Sequence, residues 1–319
     1  MNILYAFYFL VTIKYKKTYS YIKSDFLEVV SLLFDFSIIG GDDRLSYMAN
    51  NLSDMNFSVV TYKTTSKIND QKIKQATSIK DAVITSKNII CPIPLTRDGI
   101  SITNKLKICN LSILELQNNL NSSQNFFAGC IPKEFVKFTN EKNIFIYDYM
   151  QNNSFSIYNS IATAEAAIAE AILNNSINMH SSNCLVLGFG KCGKLIAHKL
   201  KNLCKTVTIC ARNENDRAFA NAYGYESFNL NKLKTNINNF EYIFNTIPAM
   251  ILNKEIIGNI SKNSFILDIT PIGTDINACK EKSINAKISL AIPGKFKAKS
   301  SAEALINITL KILKKTKKI

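Results

Sequence analysis

The chain has 319 residues, 47% hydrophobic and 20% charged, the balance of a soluble globular protein long enough for two cores. Its net charge of +15 comes from scattered lysines, with no basic stripe interleaved with aromatics, so the charge speaks for solubility and attraction of anionic ligands and against nucleic acid. The cysteines at 91, 109, 130, 184, 192, 204, 210 and 279 show no paired spacing, and His180 and His198 have no acid at triad or metal spacing, which argues for buried thiols in a reducing cytoplasm and against a disulfide framework or a zinc site.

Residues 1–34 stand apart as an extension. Residues 1–13 are apolar and aromatic and 14–17 are basic. The apolar part is too short to span a bilayer, and its charge follows it, which is not the order of a secretory signal. The regular pattern starts at Asp35. Residues 35–39 read as a strand, closed by Gly40-Gly41-Asp42-Asp43-Arg44, with a helix over 45–55 and a strand over 57–62. This is a βαβ start without a full glycine triplet. Ligands of open α/β sheets lie outside the carboxyl ends of strands, so Asp42 and Arg44 are placed to meet a substrate. Residues 82–84 and 89–90 suggest further strands. Residues 91–99 make a rigid proline-containing loop that carries Arg97. A strand-to-loop transition over 125–132, a helix over 133–140 and a strand over 144–149 close this half. The alanine-rich run 154–174 predicts a long helix that connects two αβ domains, with Thr163 and Glu165 toward a cleft.

The most informative stretch is 183–212. An apolar strand, 184–187, runs into Gly188, Gly190 and Gly193. A helix with Leu195, Ile196, Leu200 and Leu203 on one face follows, and then a β-rich run, 207–210. In this context a GxGxxG triplet is a dinucleotide fingerprint. The first glycine makes the tight turn, the second lets backbone approach a pyrophosphate, and the third lets helix and strand pack closely. The pyrophosphate then rests on the free N–H groups of the helix start. The candidate cofactor residues here are Gly188, Phe189, Gly190, Lys191, Cys192 and Gly193. The second strand ends Cys210-Ala211-Arg212-Asn213, with Arg217 close behind and no acid at the ribose position. Arg212, Asn213 and Arg217 therefore favour NADP over NAD. Further strands are expected over 242–244, running into Asn245-Thr246-Ile247-Pro248, and over 265–269, running into a loop that ends at Asp275. Asn245, Thr246, Ile247 and Pro248 fall where a nicotinamide ring would be approached. A last strand, 287–291, leads to Ile292-Pro293-Gly294-Lys295, and a helix over 300–311 closes the chain.

Taken together, Ile38-Ile39-Gly40-Gly41-Asp42-Asp43-Arg44, the loop 92–99, Ala162-Thr163-Ala164-Glu165, the glycine turn, Phe244-Asn245-Thr246-Ile247-Pro248 and Pro293-Gly294-Lys295 resemble the dipicolinate synthase A-subunit family over roughly residues 35–315. The resemblance implies two mostly parallel α/β domains of the D-2-hydroxyacid dehydrogenase type. These would be an N-terminal substrate domain over 35–153, an interdomain helix over 154–178, a Rossmann domain over 179–296 and a C-terminal helix over 297–319 that packs back toward the first domain. It also implies NADP-linked oxidation of dihydrodipicolinate to dipicolinate, the flavoprotein-like B subunit of dipicolinate synthase as partner, and the mother-cell cytoplasm of a sporulating bacterium. A dicarboxylate substrate needs cationic donors, which Arg44, Arg97 and Lys295 offer, with Thr163 and Asp275 beside them. Asp42 and Glu165 are candidate proton acceptors if burial brings them toward neutrality, and a neutral Lys295 or a water is another. Two other readings share the glycine turn: a different NADP-dependent dehydrogenase of a hydroxyacid or shikimate-like substrate, and a non-catalytic nucleotide-binding regulatory subunit.

Overall fold

A computed structural model of the chain describes residues 34–316 apart from 66, 67, 69 and 107–110. The expected extension, except for Phe34, and Cys109 lie outside the described residues. The chain divides into two compact units. The first holds the described residues up to Asn152 together with those from Leu305 onward, and the second is Asn153–Ala304.

In the first unit the strands are β1 (Phe34–Ile39), β2 (Val59–Tyr62), β3 (Lys74–Gln75), β4 (Ser86–Ile90), β5 (Asn125–Ala128) and β6 (Phe145–Asp148). They form one parallel sheet in the order β3-β2-β1-β4-β5-β6. Near-continuous apolar runs such as Ile89-Ile90 and Phe126-Phe127 are fully buried, as parallel strands covered on both faces must be. One face packs a core containing Ile39, Val83, Ile89, Leu116 and Phe126. Residues 82–84, expected as a strand, are instead the end of the helix Ile79–Ile84. The Ser78 hydroxyl accepts the Asp81 N–H at 3.0 Å and caps the first turn, and this outweighs the β-branched run that suggested extended chain. In the closing helix, Ala298–Lys315, Thr309 shares a 2.7 Å hydrogen bond with the buried Tyr149 hydroxyl.

The second unit repeats the plan. Its strands are β7 (Asn183–Leu187), β8 (Thr206–Cys210), β9 (Glu226–Phe228), β10 (Tyr242–Asn245), β11 (Phe265–Asp268) and β12 (Asn285–Ile288). They lie parallel in the order β12-β11-β10-β7-β8-β9. Counted from the first strand of each unit, both sheets run 3-2-1-4-5-6, the doubly wound order whose switch point lies between strands one and four. The long helix, Asn153–Asn174, belongs to this unit. Its alanines 164, 166, 167 and 171 share a core with Ile196 and Leu200 of the helix Lys191–Leu200, small side chains that permit close approach.

Candidate functional site

At the switch point of the second unit, β7 ends in Gly188 with φ of +91°, a left-handed turn that favours glycine. A Cβ on Gly193 would stand 2.1 Å from the Gly188 carbonyl oxygen, so only glycine lets the helix lie against the strand end. A Cβ on Gly190 would meet nothing within 4 Å, and Gly190 is exposed. Gly190 is also the N-cap of Lys191–Leu200, and no side chain caps that end. Open space, bare backbone and the positive end of a ten-residue helix coincide, which fits a pyrophosphate.

The neighbouring residues take separable jobs. Phe189 contributes backbone to the elbow, while its ring is buried and meets Tyr225 edge-on at 6.1 Å. Lys191 hydrogen-bonds the Ser156 hydroxyl, and the Cys192 thiol donates to Ser160 at 3.4 Å, so the long helix braces the glycine turn. Burial raises the Cys192 thiol pKa above its ordinary value. Arg212 is exposed beyond β8, free to meet a phosphate. Arg217 holds that loop, donating to the carbonyls of Ala211 and Arg212 at 3.0 and 2.7 Å. Asn213 caps the helix Glu214–Ala222 by accepting the Asn215 N–H. Thr246 donates to the Leu187 carbonyl at 2.8 Å and covers the glycine turn, Asn245 accepts the Ile247 N–H, and Pro248 is exposed.

Sequence reasoning missed Asp268, at the end of β11. It is fully buried and accepts four hydrogen bonds: from the Thr270 N–H and hydroxyl at 2.7 Å each, from Thr274 at 2.7 Å and from the Asn245 amide at 3.0 Å. A carboxylate is tolerable in the core only with this much compensation. One side chain thereby ties the loop after β10 to the loop after β11. The available signal was an acid closing an otherwise apolar strand. Asp275 caps the helix Ile276–Glu281, accepting the Ala278 N–H at 3.0 Å.

Two carboxylates of the long helix are held by lysines. Glu165 lies 3.1 Å from Lys199 and 3.6 Å from Lys297, with its side chain 40% exposed. The Lys199 hydrogen bond holds it below the ordinary carboxylate value, the direction opposite to the one that would suit a proton acceptor near neutrality; too little burial opposes two nearby cations. Lys295 lies 2.6 Å from the Glu170 carboxylate. Lys287 lies 3.4 Å from the same oxygen. Burial would push Glu170 up, but the Lys295 and Ser289 hydrogen bonds and the two lysine charges hold it down. Thr163 is buried and donates to the Asn159 carbonyl at 3.0 Å.

In the first unit, Asp42 caps the helix Asp43–Asp54 and grips Arg44 through both oxygens at 2.8–3.2 Å. The Arg44 guanidinium also donates to the Ile93 carbonyl at 2.8 Å, tying the proline loop to the turn after β1. Arg97 is exposed on that loop. A second missed residue, Cys130, has φ of +51° and sits in the field of both arginines. Its thiol is pushed up by burial and by Asp148, and pulled back by Arg44 and Arg97. Asp148 fixes this turn by accepting the N–H groups of Cys130 and Ile131. A cavity of about 630 Å³ opens beside it, lined by Ile131, Lys133, Tyr147 and Asp148 among others, and by none of the expected site residues. No helix among the described residues is long and apolar enough to cross a membrane.

Comparison with known proteins agrees with this division. Residues 35–150 match the family of dipicolinate synthase A-subunit N-terminal domains, and residues 167–287 match "Shikimate / quinate 5-dehydrogenase". The dipicolinate synthase A subunit of Bacillus subtilis (strain 168) is 32% identical over 165 residues, which span 51% of this chain and 56% of that protein. The match thus covers little more than half of the curated relative. The crystal structure of the dipicolinate synthase A subunit from Bacillus halodurans superposes with a TM-score of 0.77 at 24% identity, over 89% of this chain and 99% of that one. The corresponding structure from Bacillus subtilis gives 0.74 at 22%, over 89% and 98%. The dehydrogenase match implies a nicotinamide nucleotide, and the elbow at 188–193 has the shape for one. The chain resembles the A subunit of dipicolinate synthase, with an N-terminal domain that matches that family's model followed by a dehydrogenase-like Rossmann domain.

Proposed function

We propose that this protein is an NADP-dependent oxidoreductase, the A subunit of a dipicolinate synthase, and oxidises dihydrodipicolinate to dipicolinate. The observation that carries the reading is the open, uncapped helix start at Gly190, within a chain whose other half matches the A-subunit family. The cofactor supplies a hydride acceptor, and loss of a proton then leaves an aromatic ring. The chain's own residues bind and orient. Backbone at Gly188, Gly190 and Gly193 receives the pyrophosphate, with Phe189, Lys191 and Cys192 shaping the turn. Arg212 and Asn213 meet the 2′-phosphate, with Arg217 bracing their loop. Asn245, Thr246, Ile247 and Pro248 flank the nicotinamide. Arg44, Arg97 and Lys295 are the carboxylate donors, with Thr163 and Asp275 as supporting substrate residues. Asp42 and Glu165 are the two carboxylates proposed to take the proton, each beside a cation: Asp42 on Arg44 at 2.8 Å and Glu165 on Lys199 at 3.1 Å. The name of the A-subunit relative supports a second subunit as partner; the partner proposed is a flavoprotein-like B subunit, in the cytoplasm of a sporulating mother cell.

The test is to mix purified chain with dihydrodipicolinate and NADP, with and without the B subunit, and to follow reduced nicotinamide and dipicolinate by absorbance. Appearance of both supports the reading, and neither appearing under both conditions removes it. The 167–287 match favours a second reading, a shikimate-like substrate, for which shikimate in the same assay would give the signal instead. Cofactor choice has its own test. Arg212→Asp is expected to weaken NADP roughly 10–100-fold while sparing NAD, the size of a lost charge-assisted hydrogen bond. Equal loss of both dinucleotides would take Arg212 out of 2′-phosphate recognition.

A further inference from the structure

A groove in the second unit has a use that the dinucleotide reading leaves unexplained. It opens beside the helix Lys191–Leu200 as a cavity of about 280 Å³ lined by Phe189, Lys194, His198, Lys201, Tyr223 and Tyr225. Lys194 and His198 are four residues apart on one helical face, and Lys201 is the C-cap of the same helix. The Lys194 ammonium lies 5.4 Å from the Phe189 ring and 5.7 Å from the Phe219 ring. The Lys201 ammonium lies 5.4 Å from the Tyr225 ring and donates to the Tyr223 carbonyl at 3.1 Å. Phe219 and Tyr223 stack on each other at 6.4 Å yet remain 55% and 58% exposed.

Among the described residues, no carboxylate pairs with Lys194, His198 or Lys201. Elsewhere in this unit lysines find acids, as Lys199, Lys287 and Lys295 do. Two ammonium groups held over ring faces, with no counter-ion and with apolar walls, make a concave positive site. An anion answers the charge, and a flat π-face answers the walls. The volume lies just below the usual range for drug-sized ligands, room for one ring and not for a dinucleotide. A bare phosphate would meet the charge and leave the Tyr223 ring against water.

We propose that this groove is a second ligand site, separate from the glycine elbow, that takes a single-ring aromatic carboxylate. The carboxylate lies between Lys194 and Lys201, and the ring packs against Tyr223 and Tyr225.

The chain contains no tryptophan, so Tyr223→Trp places a single tryptophan reporter in the groove of the full-length protein. Titration with benzoate is expected to change its emission saturably, half-way at about 1 mM or below. Adding Lys194→Ala and Lys201→Ala should weaken that response at least about tenfold, with unchanged far-UV circular dichroism, as loss of two charge-assisted contacts requires. Sodium phosphate at matched ionic strength should leave the emission unchanged. The proposal is overturned by a flat benzoate titration, by equal saturation in the lysine variants, or by a phosphate curve matching that of benzoate. The readout is emission, so an absence of dehydrogenase activity would not alter its outcome.

Discussion

The two units share one strand order and place a glycine turn at the same switch point, yet they treat that turn in opposite ways. In the first, Gly41 donates to the Thr103 carbonyl and its own carbonyl receives the Lys105 N–H, so the chain around 103–105 lies over the turn. The helix that follows is capped by Asp42, which also holds Arg44. In the second, nothing stands within 4 Å of a Cβ at Gly190, and the helix start carries no side-chain cap. Topology supplies two crevices of one design. Local side chains cap one helix start and leave the other able to accept a phosphate.

The sharpest way to break this contrast is Gly193→Val. The new Cβ would collide with the Gly188 backbone, so a destabilisation of about 3 kcal/mol or more is expected, read as a fall in the denaturant midpoint. A variant of normal stability would mean that the close approach is not required. Next in size is Asp42→Ala in the other unit. It removes a helix cap and strands a buried guanidinium, at a cost of about 3 kcal/mol in the same measurement. Dinucleotide affinity, read by calorimetry, should not follow it if the first crevice is closed to nucleotide. Gly190→Ala sharpens the comparison from the opposite side. Its methyl has room, so stability should change by no more than about 1 kcal/mol, while dinucleotide binding should drop about tenfold or more because the methyl fills the phosphate's approach. Unaltered binding would mean that the phosphate does not approach there.

The smallest effect concerns Glu170. Its carboxyl is held below the ordinary 4.5, so its contribution to stability is present above that pH and disappears as pH falls through the lower, folded-state value. Glu170→Gln should therefore flatten the acid limb of a stability-against-pH curve by about 1 kcal/mol, and an unchanged acid limb would mean that the Lys295 and Lys287 contacts contribute nothing net.

Much of the second unit was legible in advance because its signals are local. Strand, glycine triplet, helix and strand follow one another within thirty residues, and each glycine does work that its own neighbourhood explains. The short edge strands were harder. Lys74–Gln75 and Glu226–Phe228 are polar or half-exposed, too short to show alternation, and exist because a buried neighbour offers a free edge. The candidate site divides along the same line. Arg212 could be placed from the strand that precedes it. The partner of Lys295 could not, because Glu170 lies 125 positions earlier. Glu165 reads as a cleft acid until the Lys199 and Lys297 ammoniums are seen beside it. Asp268 and Cys130 were overlooked for a related reason: an acid within a strand and a cysteine within a loop gain meaning from what the fold brings to them.

Asp268 has a practical consequence for anyone reshaping this protein. Because its two oxygens are shared between Asn245 on one side and Thr270 and Thr274 on the other, neither loop can be exchanged by itself. A graft of residues 270–274 from a relative would leave the acid short of its threonine donors, and a graft of 245–248 would leave it short of the Asn245 amide. Segments brought in from another enzyme have to travel as a matched pair with the acid that fastens them.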